Sequence, residues 1–453
     1  MARLRAVASV VLACAVACGA ANEEAPSGTA PAPSPAGDAG DAGDAGAPDA
    51  AVTDAGAVAT DAAPGAPVVT SVVLTTSHRA VPGKMFGGWG PHLGHLVRRP
   101  GGELWFVDDA CDASTPCDVD KNGRLDAFRL GAAGWERRAQ IALPTGVQQN
   151  TGTIAAGDAF ESYGVDVLAS RIVRCRLEPA APGSASCAQV PVALPPSTNY
   201  VGAAVSPDGW KVAWATTVKD GGGGTFHWLV DYGGGWNGPR TGGIGGYNDA
   251  SYVNVAFGGG AQKTRMLTFA QLVSGLAPNW TFRGAVGDVD TATSDAVTFA
   301  LLAPSGNDPI ASTNDVVVDP ASNDAHLVAR SEAGAAVLYF RPSGGTFGAP
   351  VAAIPGAYRA RFVPLADGRL VLVYGKNGVG LFVRVAPAGR PAGAAVAWGA
   401  LPEIPIALPA GYASLYAIYP ESPSTQRVLP TTLDVALVGS VRENEVLHVH
   451  VEL

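Results

Sequence analysis

From Val68 onward, short runs of Val, Leu, Ala, Tyr and Phe alternate with clusters of Gly, Pro, Asn and Asp, and no long segment carries a helical period. This pattern predicts strands joined by tight hairpins. One unit recurs: a polar or aromatic residue, a strand, a turn, then a more apolar strand. Its instances include His95-Leu-Val-Arg-Arg-Pro-Gly-Gly-Glu-Leu-Trp-Phe-Val107, Val205-Ser-Pro-Asp-Gly-Trp-Lys-Val-Ala-Trp214, Phe362-Val-Pro-Leu-Ala-Asp-Gly-Arg-Leu-Val-Leu-Val-Tyr374 and Leu415-Tyr-Ala-Ile-Tyr-Pro-Glu421.

The turns fall near residues 101, 158, 208, 260, 322, 367 and 421, a mean spacing of about 53 residues, the period of a four-stranded propeller blade. A third strand, and often a Gly-rich turn into a fourth, follows each pair. The last unit ends at its third strand, Val446–Leu453, and the segment 68–76 is the strand best placed to complete it. The expected fold is therefore all-β, a single β-propeller over residues 68–453 with seven four-stranded blades, closed by its N-terminal strand so that no sheet edge is left free. Ser206-Pro-Asp-Gly209 is similar to the hairpin of periplasmic and WD-type propeller repeats, a resemblance that bears on fold and not on function. The full sialidase Asp-box pattern is found in no unit.

Ahead of this domain, basic Arg3 and Arg5 precede an apolar run, Ala6–Ala17, which is too short to span a bilayer and has the layout of an export signal over residues 1–17. Val-Leu-Ala before Cys14 and Ala-Val-Ala before Cys18 resemble the bacterial lipobox, in which the cysteine becomes the lipidated first residue. Cys18 is preferred because cleavage before Cys14 leaves a very short apolar run. An ordinary secretory signal cut near Gly19-Ala20-Ala21 is the alternative. By the same resemblance, Gly19 carries no inner-membrane retention signal, which implies an outer-membrane or cell-surface lipoprotein held by its lipid, or else a secreted protein.

Residues 18–67 carry that cysteine and a tether of Ala, Gly, Asp, Pro, Ser and Thr that lacks the apolar surface to fold, so a disordered linker is expected. Its eight carboxylates account for most of the formal net charge of −9. The remainder is close to neutral, and with 15% charged residues it offers no clustered basic face for nucleic acid. A monomer is expected.

Four cysteines follow the signal, and their even number in an exported chain predicts two disulfides, Cys111–Cys117 and Cys175–Cys187, paired by proximity. Asp118, Asp120, Asn122 and Asp126 place oxygen side chains at alternating positions around Gly123, as a loop wrapping a hard cation requires. The segment resembles the Asp-x-Asp-x-Asn-Gly loops of EF-hands and integrin-propeller hairpins, although Arg129 stands where an EF-hand has its bidentate Glu. The two readings are a structural Ca2+ ion and a polar hairpin turn with Asn122-Gly123 at its tip.

In a propeller, the loops entering the innermost strands converge on one mouth of the central channel. The residues at that position are His92, His95, Asn150, Asn199, Tyr200, Tyr247, Asn248, Asp249, Asn314, Asp315, Tyr358, Arg359 and Tyr412. Such aromatic, amide and charged groups can stack on and hydrogen-bond a polar ligand. They can equally satisfy backbone groups at strand starts. Glu161, Arg359 and Arg361 could add charge there. No nucleophile–base or carboxylate pair stands out. The expected function is thus non-enzymatic recognition of a glycan, a peptide or an envelope component at the mouth. A carbohydrate-active hydrolase or lyase on the same fold is the alternative, and a structural spacer is a third.

Overall fold

Each β-strand from Val68 onward that is buried on both faces should read as an unbroken apolar run, and Leu370-Val-Leu-Val-Tyr374 shows what such a run does. In the computed structural model, Val371 and Val373 pack on one side with Val435 and Leu437, while Leu370, Leu372 and Tyr374 pack on the other with Val337 and Tyr339. The two-residue period of a strand splits the run between two neighbouring sheets. The structure describes residues 71–78, 94–111, 123–147, 152–195, 198–206, 208–217, 225–231, 233–243, 249–257, 265–273, 280–288, 300–302, 314–320, 322–331, 335–343, 346–347, 349–423, 426, 428–439 and 442–453. All of these belong to one compact unit, Pro67–Leu453.

The first strand, β1 (Ser71–His78), belongs to the last sheet. The first sheet holds β2 (Leu96–Arg98), β3 (Leu104–Cys111), β4 (Gly123–Gly131) and β5 (Gly134–Ala142), and the second holds β6 (Gly152–Ala156), β7 (Ala159–Asp166), β8 (Arg171–Leu177) and β9 (Ser186–Gln189). The third holds β10 (Thr198–Val205), β11 (Lys211–Thr217), β12 (Thr225–Asp231) and β13 (Trp236–Gly243). The fourth holds β14 (Asp249–Phe257), β15 (Arg265–Val273), β16 (Trp280–Asp288) and β17 (Ala300–Leu302). In the fifth, β18 (Asn314–Asp319), β19 (Asp324–Ser331) and β20 (Ala336–Phe340) are followed by a small hairpin, β21 (Pro342–Ser343) and β22 (Thr346–Phe347), before the outer strand β23 (Ala352–Pro355). The sixth holds β24 (Ala357–Pro364), β25 (Leu370–Lys376), β26 (Gly380–Ala386) and β27 (Ile404–Ile406), and the seventh holds β28 (Leu415–Pro420), β29 (Leu433–Gly439), β30 (Arg442–Glu452) and β1.

Among the described residues the chain thus forms seven four-stranded antiparallel sheets, each beginning at its inner strand, an arrangement compatible with a propeller. The inner strands touch in chain order, and the last sheet meets the first: Leu96, Leu104 and Phe106 share a core with Ala417, Tyr419, Ala436 and Val438. Full burial of such a side chain contributes about 1.5–3 kcal/mol. Among the described residues the expected end strand forms over Ser71–His78, and it pairs with β30 from Ser71↔Glu452 to His78↔Glu445. The Arg98 guanidinium adds a polar clasp at the same seam. Its Nε and Nη2 donate to Glu421 at 2.8 Å each, and Nη2 also donates to Asp434 at 2.7 Å.

Of the two expected disulfides, Cys175–Cys187 is formed between directly opposed residues of β8 and β9. The Cys111–Cys117 pairing lies outside the described residues, because Cys117 does.

Candidate functional site

An ideal strand keeps its two-residue parity, and four of the inner strands break it near their starts. In β10, Asn199 and Tyr200 together oppose one residue of β11, because Thr198 pairs with Thr217 and Val201 with Ala215. In β14, Tyr252 and Val253 sit between the pairs Ser251↔Gln271 and Asn254↔Phe269. In β24, Arg359 and Ala360 sit between Tyr358↔Gly375 and Arg361↔Val373. In β28, Tyr416 is the extra residue between Leu415↔Gly439 and Ala417↔Val438. A β-bulge leaves residues out of the ladder, bends the strand and re-aims side chains. Here the bulges recur at the ends where the chain enters the inner strands.

The β24 bulge shows its effect on packing. Ala357, Ala360 and Phe362 face the core shared with the fifth sheet, whereas Tyr358 faces the core shared with the seventh. Strict alternation would have put Tyr358 on the side of Ala360. The redirected Tyr358 hydroxyl accepts the Leu415 backbone N–H at 2.7 Å, tying β24 to β28. Its ring lies across Gly375, where a Cβ would come within 2.7 Å of the ring. Arg359 carries the left-handed backbone, φ +52°, which a non-glycine residue adopts at a cost.

Two residues on, Arg361 is buried and paired. Its Nη1 lies 3.5 Å from Asp315 Oδ1 and donates to the Asn314 backbone oxygen at 3.2 Å. Asp315 Oδ2 accepts the Phe362 N–H at 2.7 Å, and Oδ1 also accepts Asn254 Nδ2 at 3.3 Å. The fourth, fifth and sixth sheets therefore contribute one amide, one carboxylate and one guanidinium to a single cluster. Burial pushes the Asp315 carboxyl up and the Arg361 guanidinium down, each partly countered by the other. Tyr419 of the seventh sheet is close enough to act electrostatically on both Arg359 and Arg361. Its ring is 4.6 Å from that of His95, at the start of the first sheet.

Arg359 is the exception among these charges. It is only partly exposed, and desolvation pulls its guanidinium down, opposed by the phenols of Tyr416 and Tyr358 and reinforced by Arg361. Its guanidinium stands 5.4 Å over the ring of Tyr416, the bulged residue of the next inner strand. Among the described residues, no carboxylate pairs with it.

The structure therefore brings Asn314, Asp315, Tyr358 and Arg359 together, with His95 nearby. His95 is buried against Tyr419 and Phe106, and its Nδ1 donates to the Val107 backbone oxygen at 2.7 Å. Asn199 and Tyr200 occupy the β10 bulge, and Asp249 opens β14. His92, Asn150, Tyr247 and Asn248 lie outside the described residues. Tyr412 is placed elsewhere: it is buried beside Leu381, Ile406 and Leu408 in an apolar pocket of about 410 Å³, and its hydroxyl reaches Glu445 at 3.4 Å. Glu161 is also elsewhere, buried between the second and third sheets with Tyr163, Arg176 and Lys211.

Sequence reasoning did not pick out Tyr416, Tyr419, Asn254 or Tyr252. The tyrosines of Leu415-Tyr-Ala-Ile-Tyr419 were the available signal, because a tyrosine in an inner strand must find a partner for its hydroxyl.

Of the four oxygen residues proposed for calcium, Asp118, Asp120 and Asn122 lie outside the described residues. Asp126 is buried in β4, where it accepts Arg124 Nε at 3.1 Å and Nη2 at 2.9 Å, and burial pushes its carboxyl up. Its charge is thus already countered by a guanidinium. Among the described residues no three His, Cys, Asp or Glu side chains form a metal-binding group.

No family model matches the chain, and no curated protein matches it. Among solved structures, the chain is similar to a protein of unknown function from Dyadobacter fermentans DSM 18053, at 13% identity and a TM-score of 0.46 over 85% of this chain and 100% of that one. It is similar to the polysaccharide lyase Uly1, at 10% identity and a TM-score of 0.46 over 80% of this chain and 90% of that one. It is also similar to the Aleuria aurantia lectin in complex with alpha-methyl-L-fucoside, at 12% identity and a TM-score of 0.43 over 70% of this chain and 100% of that one.

Proposed function

We propose that the chain is a non-enzymatic binding protein, a seven-bladed propeller that holds a polar ligand, in first place a glycan, at the mouth where its inner strands begin. The observation that carries this reading is the recurrence of bulges in β10, β14, β24 and β28, which place Asn199-Tyr200, Tyr252, Arg359 and Tyr416 at like positions around that end. Bulges weaken the ladder locally, so a fold built only for stability has no need to repeat them there. Aromatic and amide groups at such positions are the chemistry of sugar recognition. Asp315 fits binding better than acid–base work, since its oxygens already take up Arg361, Asn254 and the Phe362 amide.

In the same reading the domain is exported and held at the outer membrane or cell surface through a lipid on Cys18. The Cys175–Cys187 disulfide supports an oxidising compartment. A glycan array and a pull-down with the purified protein, each run with and without calcium, test the proposal. Retention of a saccharide family is expected, and an empty array together with an empty pull-down contradicts the reading.

A further inference from the structure

Three arginines lie on the described inner strands: Arg98 on β2, and Arg359 and Arg361 on β24. Arg98 is neutralised by Glu421 and Asp434, and Arg361 by Asp315. Arg359 has no carboxylate partner among the described residues. It nevertheless sits where a cation is costly, partly buried and close to a second guanidinium, with the face of the Tyr416 ring offsetting only part of that cost. Its backbone is left-handed at φ +52°, inside a bulge. A free cation and a strained backbone at one residue are two independent costs, and strain retained at one position points to function there. An anion brought against the guanidinium offsets the first cost, because a charge-assisted, two-pronged bond is the strongest contact an arginine makes.

We propose that Arg359 and Tyr416 seat the anionic group of an acidic saccharide, the carboxylate of a uronate or a sulfate ester. This rests on the binding function proposed above and adds the ligand class. The guanidinium supplies the fork, and Tyr416 holds it by its ring face and orients it. Arg361 raises the positive potential at the seat, while its own charge stays with Asp315.

The test is calorimetric titration of the purified protein with an oligogalacturonate, a chondroitin sulfate oligosaccharide, a neutral cello-oligosaccharide and a polyglutamate peptide. Arg359→Gln removes the charge, and Arg359→Gly removes it while keeping a residue suited to the left-handed backbone. A thermal melt of each variant shows that it is folded. At least one of the two acidic saccharides is expected to bind and to weaken as salt rises. Its affinity should fall at least tenfold in both variants, and the Arg359→Gly melt should stay at or above that of the parent. Comparing uronate with sulfate identifies the anion. Equal binding of the neutral oligosaccharide, unchanged in the variants, overturns the anion seat and leaves saccharide binding standing. Polyglutamate bound as tightly as the acidic saccharides overturns the saccharide class. No binding of either acidic saccharide overturns the seat, and the array and pull-down then decide the binding function separately.

Discussion

The guanidinium carbon of Arg359 lies 5.4 Å from the ring centroid of Tyr416, and the two are bulged residues of consecutive inner strands. Each is out of its own ladder, and they meet between the sixth and seventh sheets. A regular β24 would have kept Arg359 in register and put Tyr358 on the other face. The contact is thus a product of two register breaks.

Asp315 and Arg361 form the buried charge pair beneath that contact, and removing one member leaves the other uncompensated. Arg361→Gln or Asp315→Asn is expected to cost about 3–5 kcal/mol in denaturant unfolding. The double variant Asp315→Asn with Arg361→Gln should cost less than the sum of the two. Strict additivity in that cycle would show that the pair is not coupled.

Gly375 has no room for a side chain. An added Cβ would lie 2.7 Å from Tyr358 Cζ and 2.9 Å from Cε1, and the ring cannot swing away without giving up the Leu415 N–H. Gly375→Ala is expected to cost about 1–3 kcal/mol by overpacking. Gly101→Ala, at a turn with open space around the new methyl, serves as the control and should be near neutral. Equal melting temperatures for the two variants would contradict the packing at Gly375.

Acid should weaken the fold in two stages. Burial lowers His326 from 6.5 to about 3, with Arg341 and Arg390 adding to it, and burial alone lowers His227 to about 4. The unfolded chain therefore takes up protons first, and stability falls as pH drops below about 6.5 toward those values. Burial would raise the Asp434 carboxyl, but bonds from His448 and His450 outweigh it and hold it at about 2. Its contribution is complete above the unfolded value of 3.8 and is lost as pH falls toward 2. Melting temperature followed from pH 8 to pH 3 should decline in this order, and His326→Gln should flatten the upper part. A plateau between pH 6.5 and 4 would contradict buried neutral histidines.

Closure by β1 should be essential. Proline at Val73 or Thr75 interrupts the segment paired with His450 and His448, and it is expected to lower the melting temperature and promote aggregation through the exposed edge of β30. Proline at both positions that melts like the parent would show that β1 adds nothing to the last sheet.

The sheets were legible because burial on two faces writes itself as unbroken apolar runs. Each of the seven turns read near residues 101, 158, 208, 260, 322, 367 and 421 falls between the first and second strands of a sheet. The bulged starts of the inner strands were legible only in part. Asn199, Tyr200 and Arg359 were placed by position after a turn, and all three are bulge residues. Tyr416 was missed because parity within Leu415–Tyr419 looks regular until the extra residue is counted against β29. Tyr412 follows a loop and packs into the Ile406 pocket, and which way a loop tyrosine turns depends on packing that the local sequence does not encode.

Hydrogen–deuterium exchange with and without a bound acidic oligosaccharide tests the central claim most directly, because it locates the ligand along the inner strands. Added protection is expected in residues 357–361 and 415–419, at the bulged ends of β24 and β28. Protection confined to the hairpins at the other end of those sheets, 364–370 and 420–433, or none at either end despite measured binding, would contradict it.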